Sequence, residues 1–336
     1  MTLTSFLRPK PVRQDFIKSF TIGPVAAPGA NAHRLAIAAI VKDEAETIRE
    51  WIEFHRLVGV GQFYLYDNGS TDGTVELLQH YVASGLVELI KWPHFIAGAH
   101  TQALAYAHAL VTFGPMTRWM AFVDADEFLF GTREDNLVEI LEDYARLPAV
   151  LVYRHFFGTS GHKTPPEGLT IEHFNERLGV PAGKMPETFL ARHPKSIVRP
   201  SQVERVHGAH FFIVDKTGSV GYDEQRRPLT RASLEYHTTE RLRINHYYTR
   251  DLESFRRRCR RDSSSANKPV PPEEYERNLH TMDAEPVRDD TIARFVPRLR
   301  ERLDRPDATA FIRCAARSSD RCAPHAARRE AGRRGR

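Results

Sequence analysis

The run Trp119-Met120-Ala121-Phe122-Val123-Asp124-Ala125-Asp126-Glu127-Phe128 is apolar for five residues and then sets three carboxylates in four positions. An apolar stretch this short reads as a buried strand rather than a helix. In an open α/β sheet, ligands sit in the crevice beyond the carboxyl ends of the strands, so Asp124 and Asp126 are expected at the mouth of a cleft. An extended backbone points residues i and i+2 to opposite faces, so a turn is needed for both to reach one ion. Crowded carboxylates oppose one another's ionisation unless a cation compensates them. Hard oxygen donors of this kind suit Mg2+ or Mn2+. The competing reading is a solvated turn that follows a strand.

Working outward, the segments before this run alternate between strand and helix. Leu35 to Val41 reads as a first buried strand, and Ile48, Trp51, Ile52, His55 and Val58 follow at helical spacing. Asp43 with Glu46 three residues on has the form of a capping box. Phe63 to Tyr66 is a second strand, ending in Asp67-Asn68-Gly69-Ser70-Thr71-Asp72-Gly73-Thr74, where Asp72 is placed to cap the next helix. Leu86 to Trp92 is a third strand and Ala97 to Phe113 a small-residue helix. Ala149 to Phe157 is a further strand. Such alternation argues a mostly parallel sheet flanked by helices. From residue 158 to about 240 the pattern weakens to short strands near Ile197-Val198 and Phe211 to Val214. Ile244 to Tyr248 reads as a strand, Asp251 to Arg261 as a basic helix, and the remainder as a helical extension.

The implied organisation is a lead-in segment (1–32), a main domain (33–262) with a ligand-binding half (33–130) and a second half (131–262), a helical extension (263–317) and a basic disordered tail (318–336). The chain has 336 residues, 41% hydrophobic and 27% charged, an ordinary globular composition. Its formal charge of +5 is concentrated in Arg256–Arg261 and Arg328–Arg336, so the body is near neutral and nucleic acid is not the expected partner. No apolar run reaches the length of a membrane span. Met1 to Ala30 lacks the apolar core of a signal peptide, and three cysteines without metal spacing fit a reducing, cytoplasmic setting. The basic tail leaves a peripheral contact with an anionic membrane as an alternative role.

Neither a Gly-x-Gly-x-x-Gly after the first strand nor a Gly-x-x-x-x-Gly-Lys-Ser/Thr loop is present, which removes two phosphate-binding architectures. What remains is an acid at the end of strand two, suited to a base or ribose, and a carboxylate cluster suited to a metal-bridged diphosphate.

Ala36 to Thr74, with Lys42-Asp43-Glu44 after strand one and the eight-residue motif Asp67–Thr74 after strand two, resembles the opening of GT-A glycosyltransferases of the family 2 and family 92 type. Phe157-Gly158-Thr159-Ser160-Gly161-His162, His210 and Asn245-His246-Tyr247-Tyr248 resemble the family 92 branch. The likeness covers about residues 35–262. It implies a GT-A-like (Rossmann-like) fold and metal-dependent transfer, usually with inversion, from a nucleotide-diphosphate sugar such as a UDP-sugar to a glycan or other hydroxyl acceptor. The family's donor-binding Asp falls on Asp67 and its Asp-x-Asp metal motif on Asp124 and Asp126. Asn68 stands where many family 2 members carry a second Asp.

The remaining candidates follow from position. Asp43 and Glu44 line the end of strand one and are candidates for the base pocket, or for helix capping. His210 and His246 are candidate metal or diphosphate ligands; His207 is a weaker match, and a core histidine is the alternative for each. Thr159, Ser160 and His162 sit in a polar loop where an acceptor can bind. An inverting transfer needs a general base, for which Glu127, Asp215 and Glu187 are the candidates. Two other functions stay open: a sugar-nucleotide nucleotidyltransferase, and a non-catalytic nucleotide- or sugar-binding module. The first expects a Gly-rich loop with a basic residue soon after strand one, which Asp43-Glu44-Ala45-Glu46 does not supply.

Overall fold

The computed structural model describes residues 17–93, 99–179, 194–230, 238–259, 272–283 and 285–305. The remaining segments, including Glu187, Arg260, Arg261, Cys314, Cys322 and the basic tail, lie outside the described residues.

In chain order the first half contains β1 (Ser19–Thr21), β2 (His33–Val41), α1 (Ile48–Leu57), β3 (Gln62–Asp67), α2 (Thr74–Ala83), β4 (Val87–Lys91), α3 (Thr101–Phe113), β5 (Thr117–Phe122) and β6 (Glu127–Gly131). Then come α4 (Leu137–Glu142), β7 (Ala149–Val152), β8 (Arg154–Phe156), α5 (Thr170–His173), β9 (Glu176–Leu178), β10 (Lys195–Val198), β11 (Arg205–His207), β12 (Phe211–Ile213), β13 (Ser219–Tyr222) and β14 (Pro228–Thr230). The chain continues through β15 (Leu242–His246), α6 (Leu252–Cys259), α7 (Pro272–Met282), β16 (Pro286–Arg288) and α8 (Val296–Leu303).

The central sheet has eight strands in the order β14-β13-β7-β10-β5-β2-β3-β4. β2 shows why it holds together. Leu35, Ile37, Ala39 and Val41 enter one core, with α1, α2 and α4, while Ala36, Ala38 and Ile40 enter the other, with α3. Successive side chains alternate between faces, so a strand covered on both sides reads as a continuous apolar run. The four alanines at 103, 105, 107 and 109 are all buried and let α3 lie close to its face of the sheet.

The expectation of a mostly parallel sheet holds for only part of it. β5, β2, β3 and β4 are parallel neighbours, but β10 runs antiparallel between β5 and β7. β14 is antiparallel to β13, which itself runs parallel to β7. The sheet is therefore mixed. The single strand expected over Ala149–Phe157 is two, broken at Tyr153: β7 joins the central sheet, and β8 joins a second sheet of order β6-β15-β8.

That second sheet crosses the division expected at residue 130. β6 belongs to the first half, yet its partner β15 lies more than a hundred residues on, with Glu127 opposite His246. The extension is also part of the body. Phe295 and Leu299 are fully buried and Phe295 packs on Phe54 and Phe130, while β16 pairs with β9. The lead-in supplies β1, antiparallel to β11. No helix among the described residues is long and apolar enough to cross a membrane.

Candidate active site

The carboxylate run spans the junction between the two sheets. Phe122 ends β5 and Glu127 opens β6. Val123 to Asp126 turns the chain between them, closed by Glu127 N–H to Asp124 O at 3.0 Å. The turn is also held from the side chain, because Glu127 Oε2 accepts the Asp124 N–H at 2.8 Å.

Burying these acids requires positive partners, and the fold brings one to each. Lys195, 1% exposed at the start of β10, donates to Asp124 Oδ2 at 2.7 Å and lies 3.2 Å from Glu127 Oε2. Gln102 on α3 donates to the other Asp124 oxygen at 2.7 Å. Arg154 on β8 donates to Glu127 Oε1 at 3.1 Å. Asp126 has His246 Nε2 at 3.3 Å from Oδ1 and Arg258 Nη1 at 2.8 Å from Oδ2. Arg250 lies 3.3 Å from Glu44. Asp124, Asp126, Glu127 and Glu44 are thus matched by Lys195, Arg258, Arg154 and Arg250.

The titration behaviour follows. Burial opposes the ionisation of Asp124 and Asp126, but the cations outweigh it. Lys195 holds Asp124 below the usual carboxylate range, against the push of the neighbouring Asp126 charge. His246, Arg258 and Arg250 hold Asp126 far below it. Glu44 is the exception: burial raises its pKa, and Arg250 only partly offsets this.

The other candidates divide. His246 is brought to Asp126, whereas His210, on the turn between β11 and β12, has Nδ1 3.3 Å from the Pro194 carbonyl. His207 lies between Ser19 and Phe211 in a separate three-stranded sheet of order β1-β11-β12. Asp67 is buried, and its oxygens accept the Gly69 and Ser70 N–H groups at 3.2 and 3.1 Å. Asp43 does not cap α1, which begins at Ile48; its backbone is left-handed (φ 52°) and its carboxylate accepts the Thr71 N–H at 2.7 Å. Asp72 accepts from Thr74 N–H in the first turn of α2 and from Ala45 N–H, tying the two strand-end loops together.

Glu127 does not suit the role of general base. A base must reach the acceptor hydroxyl, and Glu127 is fully buried with Arg154, Lys195 and a backbone N–H on its oxygens. It positions Asp124 instead. Asp215 is a turn residue that accepts from Thr217 and Ser219. Thr159 is committed to Asp283 through both its N–H (2.7 Å) and its hydroxyl (2.8 Å). Ser160 Oγ accepts the Glu176 N–H at 3.0 Å. His162 packs edge-on to Phe174, and its carbonyl accepts from Leu252 at the start of α6. The polar loop is therefore scaffolding for α6, α7 and β9, where an acceptor contact was expected.

Lys195, Arg154, Gln102 and Arg250 were not among the expected site residues. A signal existed for two of them. Lys195 and Ser196 lead directly into the apolar Ile197-Val198, and Arg154 interrupts an apolar run from Ala149 to Phe157. A lone cation in a buried strand calls for an anion.

Among the described residues no three His, Cys, Asp or Glu side chains form a ready-made metal cage. The donor chemistry of Asp124, Asp126 and His246 nevertheless fits Mg2+ or Mn2+. Such ions are commonly held by one or two carboxylates plus substrate phosphates and waters, and Mn2+ also accepts imidazole. Asp124, at 33% side-chain exposure, opens to solvent more than Glu127 does.

Residues 36–287 match the sequence profile of "Glycosyltransferase family 92". A glycosyltransferase family 92 protein of Oryza sativa subsp. japonica is 32% identical over 192 residues, 54% of this chain and 30% of the rice protein. One of Arabidopsis thaliana is 29% identical over 214 residues, 57% of this chain and 34% of its own length. An Arabidopsis galactan beta-1,4-galactosyltransferase is 29% identical over 110 residues, 30% of this chain and 21% of that protein. The chain spans about a third or less of the length of these relatives. Among solved structures, S. aureus TarS 1–349 in complex with UDP aligns at TM-score 0.31 and 12% identity, covering 50% of this chain and 47% of that one. A mycobacterial protein aligns at TM-score 0.34 and 14% identity, covering 66% and 70%. Likeness that weak says nothing about the fold or the ligand here.

Proposed function

Because this chain belongs to glycosyltransferase family 92, we propose that it moves a sugar from a nucleotide-diphosphate sugar, a UDP-sugar, to a hydroxyl on a glycan or other acceptor, with inversion and with the help of a divalent ion. The observation that carries this reading is the pair Asp126 and His246, 3.3 Å apart beside Asp124 at the carboxyl end of β5. Asp124, Asp126 and His246 would hold the ion. When bound, Mg2+ or Mn2+ supplies Lewis-acid compensation of the charge on the departing diphosphate.

The chain's own residues do the rest. Lys195 and Gln102 fix both oxygens of Asp124, so the carboxylate is preorganised before any ligand arrives. Glu127 anchors Lys195 and the Asp124 backbone from below. Asp67, at the strand end, keeps lone pairs beyond its two turn contacts for a base or ribose. Arg250 and Arg258 bring positive charge to the corner where a diphosphate would lie.

A panel of nucleotide sugars, UDP-galactose included, incubated with Mn2+ tests this. One donor should be hydrolysed or transferred, the rate should vanish in excess chelator and return with Mn2+ or Mg2+. Full turnover in chelator removes the ion; no donor turned over or bound removes the function.

A further inference from the structure

We propose that Arg258 is the resident counter-ion of Asp126, a guanidinium that the incoming divalent ion displaces and that then grips the donor's diphosphate. The inference rests on the function proposed above and adds an ordering: ion and nucleotide bind as a pair, because each removes a charge conflict that the other would create.

Three observations carry it. First, Arg258 Nη1 sits 2.8 Å from Asp126 Oδ2, and the two side chains are only 25% and 14% exposed, so the contact is sheltered and strong. An ion arriving on Asp126 meets a guanidinium already there, and like charges at contact distance repel strongly where water is scarce.

Second, this corner contains N–H donors with nothing to give to. Arg258 Nη2 and Arg250 Nε are both buried and make no hydrogen bond among the described residues. Buried donors are nearly always satisfied, and two left over on neighbouring guanidiniums call for a ligand with several acceptor oxygens and negative charge. A diphosphate has both.

Third, Arg258 is mounted so that it can change partner without unfolding its helix. Its guanidinium lies 5.4 Å from the Tyr248 ring centre and 6.0 Å from that of Phe255. These faces attract a cation without fixing one hydrogen-bond direction. The helix below is pinned: Phe255 is 3% exposed, and Asp251 accepts the Ser254 N–H at 2.9 Å. His246 Nε2 lies 3.3 Å from the other Asp126 oxygen, so the two Asp126 oxygens have different partners. The charge count also favours paired entry. A divalent ion and the two ionised oxygens of a sugar-nucleotide diphosphate add no net charge to a corner already balanced.

Calorimetric titration of the full chain with MnCl2, and then with UDP at saturating MnCl2, tests the proposal in wild type, Arg258→Gln and Arg258→Lys, each with a melting curve. In wild type, Mn2+ alone should bind weakly and UDP should tighten it. Arg258→Gln should bind Mn2+ alone roughly tenfold more tightly and UDP–Mn2+ roughly tenfold more weakly, in the usual range of coupling between two ligands. If Arg258→Gln fails to fold, Arg258→Lys still decides: it keeps the charge but loses the fork, so Mn2+ affinity should hold while UDP–Mn2+ affinity falls. Wild type that binds Mn2+ while Arg258→Gln binds it no more tightly overturns the counter-ion role and leaves the proposed function standing. Wild type that binds neither Mn2+ nor UDP overturns both.

Discussion

Replacing Lys195 by Met isolates what the buried cation does. The thioether stem fills much of the same space, so the loss is chiefly charge. Lys195 contacts Asp124 at 2.7 Å and Glu127 at 3.2 Å. Removing one partner from a buried ion pair typically costs ~3–5 kcal/mol, because the other charge is left without compensation. Two features place Lys195→Met at the lower end. Glu127 keeps Arg154, and Asp124 retains 33% exposure and so some hydration. A loss of about 3 kcal/mol corresponds to a melting temperature lower by roughly 4–6 °C. The pH dependence gives the diagnostic. In the wild type, Asp124 has a depressed pKa, so it contributes stability above the unfolded value and loses it as pH falls toward the folded one. In the variant, burial acts on Asp124 without Lys195 and raises its pKa, so the penalty is relieved by protonation as pH falls. The gap between the two proteins should be widest near pH 7 and narrow toward about pH 4. Thermal unfolding followed by circular dichroism at several pH values measures it. A gap under about 1 kcal/mol at pH 7, or one that widens in acid, would refute the view that Lys195 holds Asp124 ionised.

Phe295→Ala should cost about 3–5 kcal/mol, since Phe295 is fully buried against Phe54 and Phe130; a urea midpoint close to wild type would return residues 285–305 to the status of an appendage. His55 is fully buried, accepts the Leu129 N–H on Nε2 at 3.1 Å and has Nδ1 2.8 Å from the Trp51 carbonyl, and burial pushes its pKa down to about 3. Its neutral form therefore supports the fold above the unfolded value near 6.5, and that support is lost as pH falls toward 3. His55→Gln should lose up to about 2.5 kcal/mol less than wild type between pH 7 and pH 4.5, and equal losses in denaturant titrations at the two pH values would rule the mechanism out.

Local pattern was enough for the parallel half of the sheet. β2, β3 and β5 are buried on both faces, so their apolar runs are legible without knowing their neighbours. The abrupt change from Phe122-Val123 to Asp124-Ala125-Asp126 marked the strand end for the same reason. Periodicity reports that a residue is buried, however, and not against what. Ala149–Phe157 is one apolar run, yet Tyr153 divides it between two sheets, because the partners of β7 and β8 come from distant parts of the chain. Glu127 reads as the third acid of an exposed cluster until β10 and β8 deliver Lys195 and Arg154 to it, across separations of 68 and 27 residues. Asp43 and Thr159 look available until Thr71 and Asp283 are seen to claim them. A charge in a strand announces that it needs a counter-charge, but only the closing of long loops, paid for by burial elsewhere, selects which one. That selection turned a line of acids into a charge-balanced cluster in which Asp124, Asp126 and Glu127 each meet a cation from a distant part of the chain.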